Sequence, residues 1–292
     1  MPQLALGLVC RLHDLPMPES VTLKLVAPVG KHSDRPLLIY LPGMDGSGEL
    51  FGLQSAGLRP YFDIRCLVIP GDDLSSWERL AFQTVQLIRR ETGSAPVYLC
   101  GESFGACLAL RVVALAPALA DHLILINSAS SFHRFPWLHW VANLTPWVAP
   151  PLYQTSTLGS LPVLANLSRI SEANRQALVR AMEAVSQGSA AWRLALLSQF
   201  RLEPLQLQRV AAPTLLVASL GDRLLPSLEE AQRLAALLPN SRIYPLPHSG
   251  HASLLEDGVN LKAILAAVGF LPLAERDGQR QNSTNRQAPL AS

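Results

Sequence analysis

The sequence predicts an α/β protein, a mostly parallel, doubly wound sheet with one helical insertion. Three observations carry this expectation. Short apolar runs recur and end at turn formers, amphipathic stretches of helical length fill the gaps between them, and the alternation breaks once, between Ser131 and about Leu207. A short apolar run bounded by Gly or Pro reads as a strand buried on both faces. Strand, helix and strand in alternation close right-handedly into a parallel sheet.

Val21 to Val26 alternates imperfectly and is expected as an antiparallel edge strand. Leu37 to Leu41 then runs into Pro42-Gly43, Arg65 to Ile69 into Pro70-Gly71, and Val97 to Cys100 into Gly101. Further strands are expected at Leu123 to Ile126, Thr214 to Ser219 and Arg242 to Leu246, with helices over Ser76 to Thr92, Phe104 to Ala116 and Ser227 to Leu238. Residues 1–130 and 208–273 therefore read as the core and 131–207 as a helical cap, rich in Pro and Trp. Residues 274–292 are polar, with too little apolar surface to repay ordering entropy, and are expected to be a disordered tail. No internal repeat is present.

The 292 residues are 49% hydrophobic, 16% charged and 6% aromatic, which suits a large globular core and excludes a disordered chain. Lys and Arg number 24 against 22 Asp and Glu, for a net charge of +2 that leaves no surplus to hold a phosphate polymer. Nucleic acid is excluded as a partner on that ground. Cys10, Cys66, Cys100 and Cys107 form no C-x-x-C pair and sit in apolar runs, as small hydrophobes in a reducing compartment do. The apolar start Leu4 to Cys10 lacks a basic flank, so no signal peptide is expected and the location reads as cytoplasmic, with membrane association left open.

The chemistry falls at three strand ends. Gly101-Glu102-Ser103-Phe104-Gly105 follows an expected strand and precedes a helical run. By chance the pattern G-x-S-x-G could sit on any loop, but at a strand-to-helix bend it lifts a serine hydroxyl above the sheet, with small residues where the backbone crowds. A serine nucleophile needs a base, and the base an acid, in the order Ser, Asp, His for this arrangement. Asp222, in Gly221-Asp222-Arg223 after one strand, and His251, in Ser249-Gly250-His251-Ala252 after the next, satisfy that order. Asp222 could instead cap a turn, and His248 is the rival to His251; the glycine before His251 favours the latter. Two backbone N–H donors would hold an oxyanion, that of Phe104 and one from Leu41 to Gly48, for which Met44 is the candidate. No phosphate-binding Gly-Lys-Ser/Thr, H-E-x-x-H, G-x-G-x-x-G or paired cysteine spacing occurs, so no cofactor and no metal are expected.

With these residues in place the sequence resembles the α/β-hydrolase superfamily over about Val21 to Leu271. More narrowly it resembles the hydrolase portion of the phytyl ester synthase and diacylglycerol acyltransferase-like proteins of plastids and cyanobacteria. The residues carrying this match are LPGMDGSGELF (Leu41 to Phe51), RCLVIPGDDLSSWERL (Arg65 to Leu80), VYLCGESFGACLAL (Val97 to Leu110) and SGHASLLEDGVNL (Ser249 to Leu261). The resemblance implies acyl transfer to phytol or diacylglycerol, or release of fatty acid from lipid esters. Plant members also carry an acyltransferase-like region with H-x-x-x-x-D, and no histidine of this sequence has Asp five residues later.

The expected chemistry is therefore that of a serine esterase or lipase, an acyl-enzyme on Ser103 formed from an ester or thioester and released to water. The alternatives are acyl transfer to phytol or diacylglycerol, a small-molecule esterase or thioesterase, and a non-catalytic binding protein on the same fold. In the cap, Phe132, Phe135, Trp137, Trp140, Trp147 and Tyr153 cluster with Leu138, Val141, Leu144, Val148 and Leu152. They read as a packed cap or as a lid at a membrane interface; Pro136, Pro146, Pro150 and Pro151 preclude one spanning helix.

Overall fold

The computed structural model describes residues 22–32, 34–135, 144–149 and 159–273. Seven strands among these form one sheet: β1 Lys24–Val26, β2 Leu37–Leu41, β3 Asp63–Val68, β4 Val97–Glu102, β5 His122–Ile126, β6 Thr214–Ser219 and β7 Ser241–Leu246. Their order is β1-β3-β2-β4-β5-β6-β7, parallel except for β1, which runs antiparallel to β3. The sheet is the expected one.

Side chains alternate across it. Leu37, Ile39 and Leu41 enter one core layer, and Leu38 and Tyr40 the opposite layer. That is the two-residue period of a strand covered on both faces. One layer is closed by α2 (Trp77–Glu91), α3 (Phe104–Leu115) and α8 (Ser227–Ala235), the other by α1 (Gly52–Leu58) and α9 (Leu261–Ala267). Helix α2 is amphipathic, burying Trp77, Leu80, Ala81, Thr84, Val85 and Ile88, and starts at a Ser76 cap that accepts from the Arg79 N–H. Helix α3 is apolar almost all round because it lies beneath α2 and against the sheet.

Five strands differ from their expected bounds: β1 starts later, at Lys24, β5 and β7 each start one residue earlier, and β3 and β4 shift further, for a pairing reason. β3 begins at Asp63 rather than Arg65, since Asp63 and Ile64 pair with Leu37 and Leu38, and Arg65 neutralises Asp63 through a 2.5 Å ion pair. β4 continues past Cys100 because Gly101 and Glu102 pair with Leu125 and Ile126.

Within 131–207 the described residues contain 3₁₀ turns and helices and no strand. The helices are α4 Leu161–Leu164, α5 Glu172–Glu183, α6 Gln187–Gln199 and α7 Pro204–Gln208. Helix α6 is tied to the core by the Trp77 Nε1–H, which donates to the Leu196 carbonyl at 2.9 Å, and by the Trp192 Nε1–H, which donates to Ser75 O at 3.0 Å. The aromatic cluster divides: Phe132 is buried, Phe135 packs partly against the core, and Trp147 is 86% exposed. Trp137, Trp140 and Tyr153 lie outside the described residues, as do Leu138, Val141, Leu152, Cys10 and the 274–292 tail. Cys66, Cys100 and Cys107 are buried free thiols, and burial pushes that of Cys66 up to about 12, so they act as small hydrophobes. Among the described residues no helix is long and apolar enough to cross a membrane.

After β2 the chain crosses to β3 on one side, then returns to β4 on the other. Such a reversal leaves a crevice at the carboxyl ends of the two neighbouring strands.

Candidate active site

Ser103 stands at that crevice, between β4 and α3, with φ 53° and ψ −112°. A non-glycine residue in this region carries strain of about 1–3 kcal/mol, held here by the packing on both sides. The Ser103 N–H donates to Ile126 O at 2.9 Å, and its carbonyl accepts from the Ala106, Cys107 and Ala129 N–H groups. A β-carbon at Gly101 would collide with the Gly105 backbone, as the tight bend requires. At Gly105 it would collide with the carbonyls of Leu41 and Pro42, so this glycine also lets α3 approach the end of β2.

Asp222 and His251 arrive from the loops after β6 and β7. His251 Nε2 lies 2.8 Å from Ser103 Oγ, and Nδ1 lies 2.7 Å from Asp222 Oδ2. A carboxylate only accepts, so Nδ1 carries the proton and Nε2 turns its lone pair to the serine hydroxyl. Asp222 is also the turn cap that its position suggested: Oδ1 accepts from the Leu224 and Leu225 N–H groups at 2.9 and 3.0 Å. The hydroxyl of Ser227 joins His251 on Oδ2. One oxygen shapes the turn while the other holds the imidazole. His248 is exposed, its carbonyl accepting from Asn166 Nδ2 at 3.1 Å, and takes no part in this chain of contacts.

Burial disfavours charge on Asp222, but the His251 charge and the hydrogen bonds from His251, Ser227 and Leu225 outweigh it and hold its carboxyl below the usual range. Burial likewise opposes protonation of His251, and the charge and hydrogen bond of Asp222, with the charge of Glu102, reverse that and raise its proton affinity. Glu102 itself is pushed up to about 7 by burial and the Asp45 charge, against the pull of a Tyr40 hydrogen bond and of His251.

Met44 and Phe104 flank the serine from the loop after β2 and the start of α3. Among the described residues neither N–H donates a hydrogen bond to a protein acceptor. Beside them opens a cavity of about 110 Å³ whose apolar walls include Leu50, Leu178, Met182, Leu254 and Leu255, with Ser103 and His251 at its edge.

Two supports escaped the sequence reading. Arg193 of α6 is 2% exposed, yet donates to the Met44 carbonyl at 2.5 Å and to the Pro70 carbonyl at 2.8 Å, anchoring the loop after β2. Burial lowers its proton affinity, and the charges of Asp45 and Asp73 oppose that effect. Asn127, with φ 45°, closes β5 by binding the end of β6 and the loop after β7. Its Nδ2 donates to the His251 carbonyl at 2.6 Å and to Ser219 Oγ at 2.9 Å, while Oδ1 accepts from the Ser219 N–H at 2.8 Å. The one signal in the sequence is a polar residue ending the apolar run Leu123 to Ile126.

Comparison with known proteins agrees with this geometry at the level of fold and family. Residues 75–258 match the family model described as serine aminopeptidase, S33. The chain is 32% identical over 265 residues to phytyl ester synthase 1, chloroplastic, of Arabidopsis thaliana, an alignment covering 81% of the chain but 37% of that protein. The chain thus spans well under half the length of this relative. Among solved structures, MenH from S. aureus superposes with a TM-score of 0.69 at 17% identity, covering 85% of this chain and 97% of that one. Carboxylesterase CesB from Bacillus subtilis superposes with a TM-score of 0.63 at 16% identity, covering 86% and 93% respectively. With its sheet order, its strand-to-helix serine and this match over most of its length, the chain belongs to the serine aminopeptidase S33 family of α/β-hydrolases.

Proposed function

We propose that the protein is a serine hydrolase that cleaves carboxylic esters through an acyl-enzyme on Ser103. The observation that carries this reading is the unbroken chain of contacts, 2.8 Å from Ser103 to His251 and 2.7 Å from His251 to Asp222, beside an apolar cavity. In the first half-reaction Ser103 Oγ bonds to the ester carbonyl carbon as its proton passes to His251 Nε2. The carbonyl electron pair moves to oxygen, where the Met44 and Phe104 N–H groups receive it. Collapse expels the alcohol, which takes the proton from His251. Water repeats the sequence on the acyl-enzyme and releases the acid.

Asp222 keeps the imidazole in the reactive tautomer and stabilises its charged form. The apolar walls favour a hydrocarbon acyl group, which supports a lipid ester as substrate. Transfer to phytol or diacylglycerol is the second reading, favoured by the likeness to phytyl ester synthase 1. We read 131–207 as a cap over the site, and the exposure of Trp147 (86%) and Leu144 (56%) supports peripheral contact with lipid through it.

Labelling with an alkyl fluorophosphonate tests the nucleophile. The parent protein is expected to label and Ser103→Ala to lose both label and turnover while remaining folded; an alanine variant that labels equally would refute the assignment. Turnover of acyl esters with and without phytol or diacylglycerol, scored for free acid against new ester, separates hydrolysis from transfer. Liposome binding weakened by Trp147→Gln is expected if the cap meets lipid, and no binding by the parent would leave it a structural cap.

A further inference from the structure

Glu102 immediately precedes Ser103 and lines the same cavity. Its Oε2 accepts from the Tyr40 hydroxyl at 2.5 Å. Tyr40 is itself 1% exposed and stacked on Phe51 at 4.1 Å between centroids, so the donor is fixed. Oε1 accepts no hydrogen bond from a described residue. A carboxyl group is thus built into an apolar cavity with one oxygen braced.

The charged and titratable groups that face Glu102 come from four elements. Tyr40 belongs to β2, Asp45 to the loop after β2, His251 to the loop after β7, and Cys100 to β4 itself. Asp45 is already occupied, accepting from Ser47 N–H at 2.9 Å and Ser47 Oγ at 2.6 Å, and is balanced by Arg193. The cation that Glu102 meets is protonated His251.

We propose that Glu102, held by Tyr40, places a negative charge in the cavity wall beside Ser103 and so turns away acyl groups that carry a negative charge. The proposal rests on the reading of Ser103 as nucleophile and deepens it by naming the substrate class, neutral acyl esters. That charge has two effects. A negative potential at the cavity edge attracts the imidazolium proton and repels a substrate carboxylate.

The test uses two alkyl fluorophosphonates of equal chain length, one ending in a methyl group and one in a carboxylate, and follows phosphonylation of Ser103 against pH. The parent is expected to prefer the neutral probe, increasingly so as pH rises through the ionisation of Glu102. Glu102→Gln should move the acid limb down by about half a pH unit and shrink that preference about tenfold near pH 8, with parent and variant converging at acid pH. Tyr40→Phe keeps the carboxyl and the stacking but removes a hydrogen bond that favours ionisation, so the growth of the preference should shift to higher pH. If both variants label with the parent's acid limb and the parent's selectivity, the proposal is wrong while Ser103 remains the nucleophile. If the parent does not label, the reading of Ser103 falls and this proposal with it.

Discussion

Asp222 and Glu102 both act on His251 through a carboxyl charge, yet the loop after β6 and the end of β4 treat that charge in opposite ways. The Asp222 loop surrounds its carboxylate with donors: two backbone N–H groups, a serine hydroxyl and the imidazole N–H. The end of β4 gives Glu102 one phenolic hydroxyl and an apolar wall. The first carboxyl is therefore held below its ordinary range and the second pushed up to about 7. Burial alone does not decide ionisation; the opposite charge and the donors supplied with it do.

The largest expected effect breaks the Asp222 side. Asp222→Asn keeps the turn but offers an amide where His251 Nδ1–H needs a carboxylate. Turnover should fall by about 10³–10⁴, measured as kcat on a chromogenic ester, with much less change in KM. The parent's kcat/KM should rise with pH through an ionisation lying above the ordinary histidine value of 6.5, because the folded site raises His251. In the variant that limb should move to lower pH.

Arg193→Met removes the cation that fixes the Met44 carbonyl and balances Asp45. Turnover is expected to drop about tenfold to hundredfold, as one oxyanion donor loses its position, with kcat falling more than KM rises. A change confined to thermal stability would limit Arg193 to packing α6.

The comparison also has a stability signature. Glu102 has a raised folded-state value, so its contribution is fully present below about 4.5 and is lost as pH rises through about 7. Asp222 has a lowered one, so its contribution is present above about 3.8 and is lost as pH falls through the folded value. Glu102→Gln should therefore be stabilised relative to the parent by on the order of 2–3 kcal/mol near pH 8 compared with pH 4, read from denaturant midpoints. A pH-independent difference would mean that folding leaves the ionisation of Glu102 unchanged, and a difference of the opposite sign would place it in the same class as Asp222.

The smallest effect is expected at His248→Ala, within about twofold of the parent on soluble protein, since its side chain is exposed and away from Ser103. A loss equal to that of His251→Ala would leave the base unassigned.

Much of the sheet was legible from local pattern. Leu37 to Leu41 and Thr214 to Ser219 coincide with β2 and β6, since an apolar run ended by Pro-Gly or Gly-Asp has one low-energy use in a covered sheet. The elbow was legible for the same reason, because Gly101, Ser103 and Gly105 are neighbours whose constraint is local. Strand ends were less so: Gly101 and Glu102 are strand because β5 offers them partners.

The sequence by itself thus determined the fold class, the serine on its bend and the chain order of the aspartate and histidine, each read from a short local pattern or from the order of such patterns along the chain. Tertiary structure alone decided that Asn127 ties the end of β6 to the loop after β7, and that Arg193 grips Met44 from 149 positions away in the chain. It also joined Tyr40 to Glu102, 62 positions apart, and so braced a carboxyl in the lining of the cavity. The physical reason is the same in each case: a buried polar group must find partners wherever folding brings them, and distance along the chain carries no record of that choice.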